Sequence, residues 1–379
     1  MTTPNSIENL ACERAWVEIN PTALAHNIRA FQSLLRPDTI LMAVIKADAY
    51  GHGAVRVAQW AGQLGVHYFG VATIPEGIEL REAGIIQPIM LLGAAQSRSQ
   101  VEAIAQWQLE PTLCTPEQAL LFSKVLSEPL LVHLKIDTGM ARLGYPWQQG
   151  EEFVKQVWNL PRLKIGSVYS HLATADAPDP SFMKEQQRRF EQAIERSKAM
   201  GVTIPALHLS NSAGTLHSQV FHYDMVRVGL SLYGIYPGPQ FKEEIPLEPV
   251  MQVRARITQV KNLAAGVGVS YNHRFITPSE MQVAVVGIGY ADGVPRNLSN
   301  YMEVLLRGQR VKQLGTITMD QIMIDVSGMP EVQVGEVVTL LGCDGDNTIL
   351  AEEWADLLGT IPYEIACGFQ QRLPRVWIE

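Results

Sequence analysis

The stretch Leu41-Met42-Ala43-Val44-Ile45-Lys46 is the first of eight short apolar runs in the amino-terminal two-thirds of the chain. Runs this short and this rich in Val, Ile and Leu are typical of strands buried on both faces. Stretches with helical periodicity separate them, and Thr115-Pro116-Glu117-Gln118 is a typical helix start. The periodic stretches include Glu117–Ser127, Glu151–Trp158 and Met183–Met200. The other seven apolar runs are Tyr68–Thr73, Pro88–Gly93, Leu109–Cys114, Leu130–Asp137, Leu163–Ser170, Ala206–Ser210 and Met225–Leu230.

Eight strand-like runs that alternate with helices predict an α/β domain of one of two kinds. A closed (β/α)₈ barrel of the TIM type has this count, and an open doubly wound sheet produces a similar pattern. The pattern changes after Gly238, where prolines precede runs with alternating polarity and one late helix, Ile349–Leu358. The sequence therefore predicts a barrel-type or open-sheet α/β domain over residues 1–240 and a mostly β domain over residues 241–379. Residues 1–18 fall in the first of these ranges but could pack with the β domain instead. The carboxy-terminal strand-like runs are Val250–Lys261, Gln282–Ile288, Glu303–Leu306, Val311–Ile317, Gln321–Val326 and Val334–Leu341.

Composition excludes several classes of protein. The chain has 379 residues, of which 47% are hydrophobic and 18% charged, as is ordinary for a folded globular protein of two or three domains. It carries 38 acidic and 30 basic side chains and a net charge of −8, so no excess of positive charge points to a nucleic-acid partner.

Cysteine usage and hydropathy indicate the cellular compartment in which the protein works. The four cysteines, Cys12, Cys114, Cys343 and Cys367, are scattered and form no C-x-x-C pair, so we expect neither a disulfide framework nor a metal site. The first 18 residues lack the basic and apolar segments of a secretory signal, and no apolar run is long enough to cross a bilayer. We expect a soluble protein of the cytoplasm with no membrane partner.

Lys46 is the first residue with a chemical interpretation. A lysine at the end of a buried strand either extends to solvent along its aliphatic stem or has a lowered pKa that makes it a nucleophile able to form a Schiff base. The following residues, Ala47-Asp48-Ala49-Tyr50-Gly51-His52-Gly53, shift the balance to the second interpretation. The Gly-His-Gly turn would let the backbone approach a ligand, and the Tyr50 hydroxyl follows closely.

The string from Ala43 to Gly53 resembles the cofactor-lysine motif of the pyridoxal-phosphate-dependent alanine racemases, and further motifs of that family recur in order along nearly the whole chain. The resemblance implies an amino-terminal (β/α)₈ barrel followed by a β domain. It also implies a homodimer whose active sites are shared between subunits. Lys46 would hold the cofactor, pyridoxal 5'-phosphate, and no metal is expected.

Two motifs after the predicted fifth and sixth strands extend the resemblance. Arg142, in Lys135-Ile136-Asp137-Thr138-Gly139-Met140-Ala141-Arg142, resembles the arginine near the cofactor's phenolic oxygen and the substrate carboxylate. A guanidinium fork suits both anionic oxygens. Lys135 matches a lysine that is carbamylated in some members, and an unmodified lysine held by a neighbouring acid is the alternative. His171 resembles the imidazole that packs against the pyridine ring.

The last two predicted barrel strands point to a phosphate site. Barrels usually hold phosphates in the loops after strands seven and eight. The motif His208-Leu209-Ser210-Asn211-Ser212 and the motif Arg227-Val228-Gly229-Leu230 end those strands. Candidate cofactor-binding groups are those of Asn211, Ser212, Gly229 and Leu230, to which the resemblance adds the hydroxyls of Tyr50 and Tyr363.

Arg227 resembles the arginine that faces the pyridine nitrogen, with His208 nearby. Many pyridoxal enzymes place an acid there, which keeps the ring nitrogen protonated and the ring a strong electron sink. Arginine has no acceptor and is not deprotonated, so it should leave the nitrogen unprotonated. The weaker sink suits racemisation, which needs only removal and return of a proton.

The predicted β domain carries the remaining candidates. Tyr271, in Gly268-Val269-Ser270-Tyr271-Asn272, resembles the family's tyrosine base, which would exchange the proton on the L side of the substrate while Lys46 acts on the D side. Tyr290 would narrow the entrance or contact the substrate. The backbone N–H of Met319 would bind the substrate carboxylate. Thr318 stands where members often have cysteine.

The resemblance implies an isomerase that interconverts L-alanine and D-alanine. A two-base proton transfer at Cα, with the substrate joined to the cofactor as a Schiff base, would supply D-alanine for peptidoglycan. Three alternatives stay open: a racemase of serine or another small amino acid, a barrel-type pyridoxal-phosphate decarboxylase, and a non-catalytic protein that binds the cofactor. The last is disfavoured by the carboxy-terminal third and its tyrosine.

Overall fold

The computed structural model describes residues 13–378, which form two compact units. The barrel unit comprises residues 24–49 and 53–248, and the β unit comprises residues 13–23, 50–52 and 249–378. Their strands up to residue 248 are β1 (Ala15–Ile19), β2 (Ile40–Val44), β3 (Tyr68–Val71), β4 (Ile89–Ala94), β5 (Glu110–Leu113), β6 (Leu130–Asp137), β7 (Tyr145–Pro146), β8 (Leu163–Tyr169), β9 (Leu207–His208) and β10 (Met225–Val228).

Eight parallel strands close the barrel unit into a ring. Their order is β2-β3-β4-β5-β6-β8-β9-β10, and β10 returns to β2 with Met225 opposite Ile40. Each strand coincides with one of the eight apolar runs, with β2 starting one residue before its run and β4 ending one residue after it, and the short β7 pairs only with β6. The prediction of a (β/α)₈ barrel is confirmed, and the open sheet is wrong. The helices of this part are α1 (Pro21–Leu34), α2 (Ala54–Gln63), α3 (Ile74–Glu82), α4 (Arg98–Gln106), α5 (Pro116–Val125), α6 (Gly150–Trp158), α7 (Ser181–Ala199) and α8 (Ser212–His217).

Local capping explains where these helices begin. Thr115 precedes α5 in extended conformation, and its hydroxyl accepts a hydrogen bond from the Gln118 N–H at 3.2 Å, while Pro116 occupies the first turn. Thr73 and Glu76 form a capping box at the start of α3. Glu76 also accepts a hydrogen bond from the Ala47 N–H at 2.7 Å, which ties α3 to the segment after Lys46.

Lys46 starts a short helical turn, Lys46–Gly51, instead of ending strand β2, which stops at Val44. This turn is left-handed: φ is between +52° and +55° from Ala47 to Tyr50. Each such residue other than glycine costs about 1–2 kcal/mol, so surrounding bonds must hold the turn. Asp48 supplies one of them, since its carboxylate accepts from the Ala54 N–H at 2.7 Å.

The β unit is built on a long, bent strand. Strand β11 pairs with β14, β18 and β1, so the order β18-β15-β16-β17-β14-β11 closes on itself. Strand β1 lies antiparallel to β11 and parallel to β20. A mostly β domain after the barrel is confirmed. Its elements are β11 (Met251–Leu263), β12 (Gly268–Val269), β13 (Phe275–Ile276), β14 (Met281–Val286), β15 (Glu303–Leu306), β16 (Gln309–Leu314), β17 (Ile322–Asp325), β18 (Val337–Asp344), β19 (Asn347–Ile349), α9 (Ala351–Leu358), α10 (Pro362–Gly368) and β20 (Arg375–Trp377).

The two glycines that flank His52 differ in what a side chain would meet. Both have positive φ, +85° at Gly51 and +93° at Gly53, but a Cβ on Gly51 would lie 2.6 Å from the Ala366 carbonyl oxygen, whereas one on Gly53 would have no atom within 4 Å. We expect Gly53→Ala to lower the free energy of unfolding by about 1 kcal/mol and Gly51→Ala by about 3 kcal/mol. Urea unfolding of the two variants measures the difference, and equal losses would contradict it.

Candidate active site

Four cations act electrostatically on one imidazole in the barrel unit. The pKa of His171 is lowered well below its ordinary value, first by burial and then by the positive charges of Arg227, Lys135, Arg142 and Lys46. The structure therefore brings these four predicted residues within electrostatic reach of His171. The imidazole is neutral at physiological pH, and the concentrated positive charge suits an anionic ligand.

Arg227 is buried and oriented by four acceptors. Its guanidinium donates to His208 Nδ1 and the Ser170 carbonyl, both at 2.8 Å, to the Leu209 carbonyl at 3.0 Å and to His171 Nδ1 at 3.3 Å. Burial lowers the pKa of Arg227 to about 10, so it stays cationic near neutral pH. A buried guanidinium with neutral acceptors can present its charge to a ligand atom that also accepts.

Lys135 lies beside Arg227 in the same cluster. Burial, followed by the charge of Arg227, lowers the pKa of Lys135 to about 8. Its Nζ lies 5.3 Å from the centroid of the Tyr169 ring. Within residues 13–378, Lys135 forms no ion pair with a carboxylate. The alternative of a lysine held by a neighbouring acid therefore has no such contact to support it.

Arg142 lies on the loop that follows β6. Asp137 organises this loop, because its carboxylate accepts from the Gly139 N–H at 2.9 Å and from the Ala141 N–H at 3.1 Å. Ala141 has φ of +55°, which turns the chain sharply just before Arg142. The Arg142 side chain is exposed, so its guanidinium is accessible to a ligand.

The predicted phosphate residues meet where β9 and β10 end. Asn211 caps α8 by accepting from the Gly214 N–H at 3.0 Å. Ser212 Oγ accepts from the Gly229 N–H at 3.1 Å, so that N–H bonds within the protein and leaves the Ser212 hydroxyl hydrogen to donate elsewhere. Leu230 follows at the start of a buried 3₁₀ turn.

Tyr271 lies on a strained turn of the β unit. Ser270 and Asn272, its two neighbours, both have φ of +62°. Reciprocal bonds hold the turn: Ser270 Oγ donates to the Thr316 carbonyl at 2.6 Å, and Thr316 Oγ1 donates to the Tyr271 carbonyl at 2.9 Å. The Tyr271 side chain is 67% exposed. Strained residues cost about 1–3 kcal/mol each and cluster at functional sites, so this turn marks Tyr271.

Tyr271 and Met319 line one cavity of about 760 Å³ in the β unit, and Tyr290 adjoins Met319. The Ala291 N–H donates to the Met319 carbonyl at 3.0 Å, which joins the loop of Tyr290 to the loop of Met319. Thr318 caps the second loop, because its Oγ1 accepts from the Gln321 N–H at 3.1 Å. Threonine at this position therefore stabilises the backbone that presents Met319.

Tyr50 and Tyr363 lie together in the β unit, with ring centroids 6.2 Å apart. At Gly51 the group next to the backbone is the Ala366 carbonyl, so of the two glycines in the Gly-His-Gly turn only Gly53 has open space beside it. His52 is fully buried, and its Nδ1 lies 3.1 Å from the Tyr50 carbonyl oxygen, so it packs inside the protein.

Several residues that orient the cluster were not predicted. The Tyr169 ring stacks on His208, with centroids 4.6 Å apart and planes 2° from parallel, and its hydroxyl bonds Thr112 Oγ1. Ser167 and His133 continue the contacts from His208. Their signal in the sequence was a polar residue inside an otherwise apolar strand, which marks a side chain that points into the barrel.

Other features of the described residues bear on the remaining expectations. Cys12 lies outside the described residues, while Cys114 is a buried free thiol and Cys343 an exposed one. No cluster of His, Cys, Asp and Glu side chains between residues 13 and 378 could hold a metal ion. Across the same residues, no helix combines the length and the apolar character needed to cross a membrane.

Comparison with known families identifies the chain. Residues 19–237 match the model for the alanine racemase N-terminal domain, and residues 250–377 match the one for the C-terminal domain. The chain belongs to the alanine racemase family. It is 60% identical to an alanine racemase of Nostoc sp. over 97% of this chain and 96% of the relative. The alanine racemase of Synechocystis sp. is 59% identical over 97% and 99% of the two chains.

Solved structures agree with this assignment. An alanine racemase of Clostridium difficile superposes with a TM-score of 0.92 at 35% identity, covering 97% of this chain and 96% of that one. The crystal structure of the Bacillus anthracis alanine racemase with bound L-Ala-P has a TM-score of 0.91 at 35% identity, covering 97% and 95%. The predicted family is confirmed, and with it the prediction that the protein is an enzyme.

Proposed function

We propose that this protein interconverts L-alanine and D-alanine with pyridoxal 5'-phosphate as its cofactor. The observation that carries the proposal is the cluster of Lys46, Lys135, Arg142 and Arg227 around the neutral His171. Substrate and cofactor both present anionic oxygens to such a cluster. The family membership and the L-Ala-P bound by the Bacillus anthracis relative support a small amino-acid substrate.

The donor set of the barrel unit fits pyridoxal phosphate. The Lys46 amine would hold the cofactor's carbonyl carbon covalently, and a neutral His171 ring would pack against the pyridine without repelling the cations around it. The Ser212 hydroxyl and the Leu230 N–H would donate to the phosphate, with Asn211 and Gly229 in the same two loops, while the Tyr50 and Tyr363 hydroxyls remain predicted donors. When bound, the cofactor withdraws electrons from the substrate's Cα and so acidifies the Cα–H bond.

Racemisation needs a base at each face of the planar Cα. Lys46 would exchange the proton on the D side, and Tyr271 on the L side. Arg227 offers only donors, so it would leave the ring nitrogen unprotonated and limit how far electrons leave Cα. The Arg142 guanidinium and the Met319 N–H would bind the substrate carboxylate, and Tyr290 would keep the entrance narrow.

The exposure of the β-unit residues supports a homodimer with shared sites. Tyr271 is 67% exposed and Met319 52% exposed, although both carry predicted roles at a site that must exclude water. We propose that residues 241–379 of one subunit complete the site on residues 1–240 of its partner. The shared site would then combine Lys46 with Tyr271 of the partner subunit.

Mixing two impaired variants tests the shared site. Lys46→Ala and Tyr271→Phe homodimers should each racemise alanine at least about 10²-fold more slowly than the wild type, whereas the hybrid dimer should recover one intact site of two. We therefore expect about half of the wild-type kcat per hybrid dimer, with an unchanged KM. Native mass spectrometry quantifies the hybrids. Proven hybrids without activity would mean that Lys46 and Tyr271 act within one chain.

A time course with L-alanine in D₂O tests the reaction itself. The circular dichroism of the amino acid should decay to zero while deuterium enters Cα. A panel of other amino acids tested alongside separates alanine from serine. Faster decay with serine would favour a serine racemase, and release of CO₂ would replace racemisation with decarboxylation.

Lys135 offers a pH test of the site's charge. Its amine loses a proton at lower pH in the folded protein, at a pKa of about 8, than in the unfolded chain, where lysine titrates near 10.4. Below pH 8 the charged Lys135 therefore lowers the free energy of unfolding, and this loss disappears as the pH rises toward 10.4. In carbonate-free buffer we expect Lys135→Met to raise the free energy of unfolding by about 3 kcal/mol at pH 7 and by nothing near pH 10.5.

The same variant reports on carbamylation of Lys135. A carbamate replaces the cation with an anion, which Arg142 and Arg227 would stabilise. In bicarbonate buffer Lys135→Met should then destabilise the protein instead, and mass spectrometry of the intact wild type should show the added carboxyl group. Equal effects in both buffers would mean that Lys135 stays unmodified.

We further propose that the enzyme works in the cytoplasm and supplies D-alanine for peptidoglycan.

A further inference from the structure

A row of polar side chains crosses the interior of the barrel unit. Consecutive members lie within hydrogen-bond distance: His133 Nε2 is 2.9 Å from Glu110 Oε2, and His133 Nδ1 is 2.7 Å from Ser167 Oγ. Ser167 Oγ is 2.8 Å from His208 Nε2, whose Nδ1 is 2.8 Å from Arg227. Six strands contribute one member each to this polar row, which consists of Tyr68 (β3), Glu110 (β5), His133 (β6), Ser167 (β8), His208 (β9) and Arg227 (β10).

The Arg227 end of the polar row dictates one direction of donation. A guanidinium only donates, so His208 Nδ1 must accept and the His208 hydrogen must be on Nε2. That hydrogen is donated to Ser167 Oγ, whose own hydrogen is then left for His133 Nδ1. Because His133 Nδ1 accepts that hydrogen, the ring carries its own hydrogen on Nε2 and donates it to Glu110.

The Glu110 end dictates the same direction independently. An ionised carboxylate only accepts, and although burial acts to raise the pKa of Glu110, hydrogen bonds from His133 and Tyr68 outweigh it and lower the pKa. The Tyr68 hydroxyl donates to Glu110, which keeps its hydrogen away from His133 Nε2, 3.2 Å from the Tyr68 oxygen. His133 must therefore donate to Glu110 from Nε2. A second hydrogen on His133 Nδ1 would leave the Ser167 hydrogen without an acceptor in the row, so Nδ1 accepts and each following bond has one orientation that pairs a donor with an acceptor.

We propose that Glu110 is a positioning residue for Arg227. Acting through His133 and Ser167, its carboxylate holds His208 in the Nε2–H tautomer, whose lone pair receives the guanidinium. With the other tautomer, an N–H of His208 would face an N–H of Arg227, and the guanidinium would lose one of the contacts that orient it. The inference rests on the proposed role of Arg227 at the cofactor's ring nitrogen, but its test does not depend on activity.

The tautomer of His208 in variants without Arg227 separates the two ends of the row. In Arg227→Met no guanidinium dictates the tautomer, so a single Nε2–H form must come from Glu110. Replacing the carboxylate by the isosteric carboxamide in R227M/E110Q removes that constraint, because an amide both donates and accepts. R227M/S167A interrupts the row in the middle. R227M/S197A is the matched control, since the buried Ser197 hydroxyl bonds the Ala193 carbonyl at 2.8 Å within α7, outside the row.

Ring ¹⁵N shifts of histidine-labelled, cofactor-loaded protein distinguish a protonated from a bare nitrogen, and His208→Gln assigns the signal. We expect a single Nε2–H form in R227M and in R227M/S197A, and a mixture of tautomers in R227M/E110Q and R227M/S167A. A mixture already in R227M would overturn the proposal, because Arg227 alone would then set the tautomer. A single form in R227M/E110Q would overturn it as well, because Glu110 would not be the source.

Turnover in the presence of Arg227 provides the second measurement. E110Q and S167A should each lower kcat by about tenfold with little change in KM, as is typical for partners that orient a group at an active site. The double variant should lose no more than either single one, because both interrupt the same row. S197A should leave kcat unchanged. Losses that multiply in the double variant would show two independent effects and contradict a common row.

Discussion

Lys46→Ala is expected to abolish racemisation and the covalent attachment of pyridoxal phosphate together. The amine would serve both as the attachment point and as the base on the D side, so its removal eliminates two contributions at once. General acid–base catalysis alone accounts for about 10² to 10⁴ in rate, and loss of attachment adds to it. We expect kcat to fall by at least about 10⁴-fold.

Reduction with borohydride separates attachment from catalysis. In the wild type it should fix the cofactor irreversibly to the peptide that contains Lys46, and mass spectrometry should find that mass increase. Lys46→Ala should show none, while Lys155→Ala, which removes a half-buried lysine of α6, should behave as the wild type. A cofactor still fixed to the protein in Lys46→Ala would assign the attachment to another lysine.

The position of Lys46 shows how far sequence patterns reach. The apolar run before it predicted β2 correctly, because burial on both faces leaves a clear compositional signal. The left-handed turn that starts at Lys46 had no such signal, since Ala47 and Ala49 ordinarily avoid positive φ and Asp48 ordinarily adopts it only as a single residue. Contacts with Glu76 on α3 hold the turn, and contacts between distant segments are not visible in local sequence.

Side-chain contacts inside the barrel were also only partly predictable from local sequence. Arg227 was predicted from a motif, and the structure places it with Lys46, Arg142 and Lys135 around His171. Glu110 was not predicted, because a carboxylate at the start of a short strand is more often solvent-exposed. Its hydrogen bond with His133 depends on the register in which β5 pairs with β6, where Thr112 lies opposite His133, and a local sequence pattern does not give that register.

The strained turn in the β unit could not be predicted from the sequence either. The family motif pointed to Tyr271 as a base, and Asn272 is a residue type that tolerates positive φ, but nothing in the sequence indicates that Ser270 adopts it as well. Reciprocal bonds with Thr316 stabilise that conformation, and Thr316 is far along the chain. The strain supports a functional role for the turn independently of the motif.

Tyr271→Phe is expected to separate the two directions of proton exchange. The variant loses only the phenolic oxygen, so the ring still packs while the proposed base on the L side is gone. We expect kcat for racemisation to fall by about 10² to 10⁴, the usual contribution of one general base. Lys46 remains, so D-alanine should still exchange its Cα–H with solvent.

The asymmetry of exchange is the diagnostic result. In D₂O, D-alanine incubated with Tyr271→Phe should gain deuterium at Cα and keep its configuration, whereas L-alanine should gain almost none. Tyr301→Phe provides a matched control, because Tyr301 is also an exposed tyrosine of the β unit, with 66% of its surface accessible against 67% for Tyr271. If L-alanine and D-alanine lost Cα–H exchange equally, Tyr271 would not be a base that acts on one face. Such a result would leave it as a residue that binds substrate, because a binding contact serves both enantiomers and a base acts only on the face it touches.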